Sequence, residues 1–196
     1  GWTGHGNLAA AARDARYRLL GDWARGRGFD TVALAHTMDD QAETFLMRLA
    51  RGSGVDGLAA MRDLRRRLGI DWSRPFLYTR RSDLRDWLTT RGLTWVEDPT
   101  NADPASERVR IRQALPVLAG LGIGAEALAE TAFRLTLARD ALDEAAREAA
   151  GMVEVVAGAA LLPWRDFALL PTDTGWRLVA RILHWFDPLR PPPRWQ

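Results

Sequence analysis

His36-Thr37-Met38-Asp39-Asp40-Gln41-Ala42-Glu43-Thr44 follows the apolar run Thr31-Val32-Ala33-Leu34-Ala35 and precedes Arg51-Gly52-Ser53-Gly54. The apolar run suits a strand buried on both faces. Beyond it Asp40 and Glu43 stand at i and i+3, and Phe45, Leu46 and Leu49 fall at helical spacing, which predicts a helix from Asp39 to Ala50. One imidazole and three carboxylates therefore gather at a strand-to-helix junction, where α/β proteins place their chemistry. The same residues also suit a structural role. Asp40-x-x-Glu43 can cap free backbone amides at the positive end of the helix, and His36 can be a satisfied buried histidine.

Working outward, Leu8 to about Gly26 reads as a helix with Ala12, Ala15, Leu19 and Trp23 on one face. Arg74 to Tyr78 reads as a further strand, Ser82 to Arg91 as a helix, and Trp95-Val96 as a short strand entering the loop Glu97-Asp98-Pro99-Thr100-Asn101. This alternation predicts an α/β fold, the remainder of a doubly wound parallel sheet. A long helix over residues 125–150 reads as a connector. Met152 to Leu162 suits a hairpin or two short strands, and residues 165–186 a helix started or interrupted around Pro171. The proline-rich tail from Pro188 to Gln196 reads as a linker or a truncated end. The expected domains are 1–119, a helical connector 120–150, and a small helical or mixed segment 151–196.

The chain has 196 residues, 47% of them hydrophobic, enough to build a core. It contains no cysteine, which removes disulfides, thiolate metal sites and cysteine nucleophiles and agrees with a cytoplasmic location. No apolar run approaches the length of a membrane span, so no membrane partner is expected.

All 27 basic residues are arginine, against 25 acids. Residues 62–91 hold nine arginines against Asp63, Asp71, Asp83 and Asp86, whereas residues 120–150 hold three arginines against six acids. A phosphate-facing lobe joined to an acidic spacer gives this asymmetry, and so do ordinary solvated helix faces. Arg108 and Arg112, four apart, share a helix face from which Arg110 turns away. Such a pair suits a phosphate, a substrate carboxylate, or an internal ion pair with Glu107 or the acidic loop before it. Gly52, Gly54 and Gly57 suit a helix stop, with backbone amides that could also approach a phosphate. Of nine tryptophans, Trp23, Trp87 and Trp176 read as core, while Trp72 and Trp95 are the ones to test for RNA contact.

Several separated blocks, taken in order, resemble one known family. They are Gly6-Asn7-Leu8 with Ala12-Arg13-Asp14-Ala15-Arg16-Tyr17, the His36 to Thr44 string, Arg51 to Met61, and Arg74-Pro75-Phe76-Leu77. Trp95 to Asn101 follows, then Arg108-Val109-Arg110-Ile111-Arg112 before Leu115-Pro116-Val117-Leu118. Their order and spacing over about the first 120 residues resemble the tRNA(Ile)-lysidine synthetases, N-type ATP pyrophosphatases of the PP-loop class. The resemblance implies an adenine nucleotide alpha-hydrolase-like fold, with residues 1–119 as the C-terminal part of the catalytic domain. It also implies ATP-dependent ligation of lysine to the wobble cytidine of tRNA(Ile) through an adenylated cytidine. ATP and Mg2+ are the implied cofactors, with metal ligands left unassigned, and tRNA(Ile) and free lysine are the implied partners.

By the same resemblance His36, Asp40 and Glu43 are candidate catalytic residues. Arg108, Arg112, Asp39 and Asn101 are candidates for substrate or tRNA binding, and Arg51, Gly52 and Gly54 for the nucleotide. Two departures stand out. The family's S-G-G-x-D-S loop is absent, so a fragment inactive by itself is expected, and Val109 stands where the family usually carries asparagine. Another adenylating pyrophosphatase acting on tRNA or a small substrate, a non-catalytic RNA-binding fragment, and a plain helical α/β domain are the alternatives.

Overall fold

The computed structural model describes residues 8–97 and 106–188. The chain divides into two compact units, Gly1–Phe133 and Arg134–Gln196.

The first unit opens with α1 (Leu8–Gly26), β1 (Thr31–Ala33) and α2 (Met38–Leu49), and continues through the single turn α3 (Val55–Leu58) into β2 (Leu64–Arg67) and β3 (Ile70–Ser73). Helices α4 (Arg81–Thr90), α5 (Glu107–Gly120) and α6 (Ala125–Ala149) follow, the unit boundary falling within α6. The sheet order is β1-β3-β2. β1 runs parallel to β3 with Ala33 opposite Ser73, and β2 is antiparallel to β3.

Three strand expectations change. Arg74 to Tyr78 is not a strand: Leu77 N–H donates to Arg74 O and Thr79 N–H to Phe76 O, so the segment turns. The strands lie just before it, as a hairpin closed by Leu68 and Gly69 at φ 54° and 75°, the left-handed pair that a two-residue hairpin turn requires. Trp95 and Val96 lie outside any strand. β1 is shorter than the apolar run and is not buried on both faces, because Thr31 and Ala33 are exposed and β3 is its one partner among the described residues.

The core is built from Tyr17, Ala24, Ile70 and Trp72, with Val32 and Leu34 packed against it. α1 therefore buries the face bearing Tyr17, Gly21 and Ala24, and not the face of Leu19 and Trp23, which are 70% and 56% exposed. Gly21 lies on the buried face, where a Cβ would stand 3.7 Å from the Trp72 ring, an ordinary packing distance. Trp72 is 1% exposed and its indole N–H donates to Arg67 O at 3.0 Å, which removes it as an RNA contact. Trp87 is exposed rather than core, with Arg91 over its ring.

In the second unit β4 (Glu154–Val156) and β5 (Ala159–Leu161) form the expected hairpin. The one-turn α7 (Trp164–Phe167) and α8 (Thr172–Phe186) follow, with Pro171 at the start of α8. No single helix among the described residues is long and apolar enough to cross a membrane.

Candidate active site

Thr37 begins α2 as its N-cap. Its backbone N–H and hydroxyl donate to Asp40 Oδ2 at 2.9 and 2.8 Å, and its hydroxyl oxygen accepts from the Asp40 N–H at 3.4 Å. The capping pair is thus Thr37-x-x-Asp40 rather than Asp40-x-x-Glu43. Burial opposes ionisation of Asp40, but the bonds from Thr37, with Arg81 and Arg108 nearby, hold its pKa below the ordinary value. Asp39 serves a second helix. Its Oδ2 accepts from the Arg81 N–H at 2.7 Å, capping the start of α4 from 42 residues away in sequence.

Glu43 has a fully buried side chain. Its Oε1 accepts from Arg112 Nε at 2.8 Å, Arg108 Nε lies 3.3 Å from Oε2, and Arg81 Nη2 lies 3.7 Å from Oε1 while also reaching Asp40 Oδ1 at 3.3 Å. Glu43 holds Arg112 charged, pushing its pKa further up. The shared face of Arg108 and Arg112 is as the spacing predicts. The carboxylate it meets is Glu43, not Glu107, which pairs with Arg51. Val109 is buried between them and offers no side-chain hydrogen bond.

Arg81, which joins Asp40 and Glu43, belongs to no motif in the sequence. An arginine in the first turn of a helix opposes the helix dipole, and that mismatch was the available signal that it answers to acids elsewhere.

The loop after α2 is fixed by its own backbone. Gly52 takes φ 66°, Ser53 N–H donates to Arg48 O, and Gly54 precedes α3. A Cβ on Gly57 would lie 2.4 Å from Ser53 Cβ, so this glycine is needed for close packing. Gln41, buried, exchanges two bonds with the Met61 backbone at 3.0 and 2.9 Å and ties α2 to the segment after α3. Asn101 lies outside the described residues.

His36 lines a pocket of about 40 Å³ with Arg13, Arg16, Tyr17, Leu20, Leu34 and Trp72, space for very few waters. Its buried Nδ1 makes no hydrogen bond. Burial, Arg74, Arg13 and Arg108 lower its pKa against the pull of Asp40. Tyr17 packs edge-on to Trp72 at 4.5 Å, and the guanidinium groups of Arg13 and Arg67 both lie over its ring. Arg13 and Tyr17 belong to a block that carries the resemblance and stand at i and i+4, but spacing alone does not bring Arg67 to the same ring.

Residues 3–118 match the PP-loop domain. The chain belongs to the PP-loop family. A tRNA(Ile)-lysidine synthase from Ruegeria pomeroyi is 48% identical over 99% of this chain and 46% of its own length. One from a Bradyrhizobium species is 39% identical over 93% of this chain and 54% of its own. The chain spans about half the length of these curated relatives. The U34-tRNA thiolase NcsA from Methanococcus maripaludis, solved with its [4Fe-4S] cluster, superposes with TM-score 0.54 at 16% identity, over 69% of this chain and 46% of that one. That likeness is one of fold, and the cysteine-free chain has no thiolates for such a cluster. The family resemblance and the α/β fold expected from the motifs both hold.

A divalent cation needs converging oxygen ligands. No group of three or more His, Cys, Asp or Glu side chains among the described residues offers them, and Asp39, Asp40 and Glu43 each face arginine or a backbone amide. The described side chains therefore assign no magnesium ligand by themselves.

Proposed function

We propose that this chain works in the ATP-dependent ligation of lysine to the wobble cytidine of tRNA(Ile), a cytoplasmic tRNA modification that passes through an adenylated cytidine. The observation that carries the reading is the 48% identity to a tRNA(Ile)-lysidine synthase over nearly the whole chain. The geometry is compatible with it. At the carboxyl end of β1, Asp40 and Glu43 share the face of α2 that meets Arg81, and Arg108 and Arg112 close on Glu43 from α5.

A buried carboxylate stripped of its partners is costly. The arginines therefore leave Glu43 only as another cation replaces them. The lysine ammonium is such a cation, and the phosphate or the lysine carboxylate gives the released guanidinium groups a matching anion. In the transfer step a C–N bond forms at the former cytidine carbonyl carbon as the bond to the adenylate oxygen breaks, and the ammonium proton passes to a neighbouring base. Asp40 and Glu43 bind and orient the ammonium in this scheme, Arg108 and Arg112 hold the anion, and Asp39 keeps α4 in place. Arg51, Gly52 and Gly54 border the nucleotide.

AMP release from ATP, measured with tRNA(Ile) and a panel of amines, tests the reading. Release that requires lysine supports it. Release driven equally by other donors points to a different adenylating pyrophosphatase, and salt-sensitive tRNA binding without ATP turnover points to an RNA-binding role.

A further inference from the structure

Arg74 lies one residue beyond β3 and is 6% exposed. A buried guanidinium is costly unless acceptors or a carboxylate face it. Among the described residues the guanidinium donates to two neutral oxygens. Nη1 donates to Arg62 O at 2.6 Å and Nη2 to Tyr17 Oη at 3.4 Å, while the buried Nε makes no hydrogen bond.

On the neighbouring parallel strand, Ala33 pairs with Ser73 and Leu34 N–H donates to Ser73 O at 2.9 Å. The chain therefore leaves β1 toward His36 beside the point where it leaves β3 at Arg74. His36 brings a second buried polar atom, Nδ1, that has no hydrogen bond. A fixed cation and a titratable ring, each with an unsatisfied buried nitrogen, thus flank the carboxyl ends of two paired strands.

We propose that Arg74 is a positioning residue that holds the His36 imidazole neutral, so that the pocket presents an uncharged ring with an acceptor nitrogen rather than a cation. A fixed positive charge in a poorly solvated setting raises the energy of an imidazolium. Arg16 of α1 lines the same pocket as His36, and other charged groups act on the ring from α1, α2 and α5. Burial contributes most, Arg13 of α1 and Arg108 of α5 act in the same direction as Arg74, and Asp40 of α2 opposes them. Arg108 is about a third exposed, so water screens it, whereas Arg74 is shielded.

The consequence for the reaction rests on the lysine-ligation reading: a cationic His36 would repel an ammonium arriving at Asp40 and Glu43.

NMR titration of the His36 ring in the whole chain tests the proposal. The wild-type midpoint is expected below that of a free imidazole. Arg74→Lys keeps it low, and Arg74→Met moves it up toward the ordinary value. Should the methionine variant fail to fold, Arg74→Gln, whose amide can still donate to the Arg62 carbonyl, reads the same upward shift. A folded neutral variant whose midpoint stays at the wild-type position overturns the proposal, as does a wild-type ring that is charged wherever free imidazole is.

The acid limb of lysine-dependent AMP release should move up with the ring in the neutral variants. A ring shift in a protein without that activity overturns the ligation reading and leaves the role of Arg74 standing.

Discussion

Replacing Glu43 by glutamine keeps the volume of the side chain and removes its charge. In the native protein the carboxylate accepts from Arg112 at 2.8 and 3.3 Å and lies 3.3 Å from Arg108 Nε and 3.7 Å from Arg81 Nη2. Charge-assisted bonds contribute about 1.5–3 kcal/mol each, and removing one partner of a buried pair costs about 3–5 kcal/mol. The arginines are 31–36% exposed, so water recovers part of their solvation and brings Glu43→Gln below that range, to roughly 2–3 kcal/mol. For a unit of this size that lowers Tm by roughly 6–12 °C.

Urea melts followed by tryptophan fluorescence measure the loss. A double-mutant cycle with Arg112→Gln isolates the pair, for which a coupling of about 1–3 kcal/mol is expected. A loss below about 0.5 kcal/mol, or strict additivity, would refute the buried clamp.

Two further outcomes follow from the same geometry. The depressed pKa of Asp40 means its ionised form contributes stability above about pH 3.8, and this contribution is lost as pH falls through the folded-state value. Asp40→Asn should therefore cost about 1 kcal/mol at neutral pH, with the gap to wild type closing on acidification in parallel melts; a gap that stays constant into acid would contradict the capping role. Gly57→Ala forces a contact with Ser53 that now measures 2.4 Å from the ideal Cβ, and should destabilise by about 1–3 kcal/mol in the same assay.

The sequence made some features legible through local chemistry. The boundaries of α2 and α4 followed from apolar spacing and a glycine stop, and the β4–β5 hairpin from its apolar run with a central glycine. The β2–β3 hairpin was obscured because β2 is Leu64-Arg65-Arg66-Arg67, a strand without apolar alternation, closed by Leu68-Gly69 rather than an asparagine-glycine turn. On α1 the sheet packs against Tyr17 and Ala24 while the larger apolar Leu19 and Trp23 stay exposed, a choice between two partly apolar faces that spacing alone does not make. At the site, sequence spacing located Asp40, Glu43, Arg108 and Arg112 on the right faces. That Glu43 is the common partner of Arg81, Arg108 and Arg112 depends on packing between α2, α4 and α5, across 69 residues for Arg112.

Nucleoside analysis of tRNA(Ile) incubated with the protein, ATP and isotopically labelled lysine tests the central claim most directly. The account predicts label in a modified cytidine at the wobble position, with Glu43→Gln abolishing it in folded protein. Unmodified cytidine alongside tight tRNA binding and intact fold would contradict it.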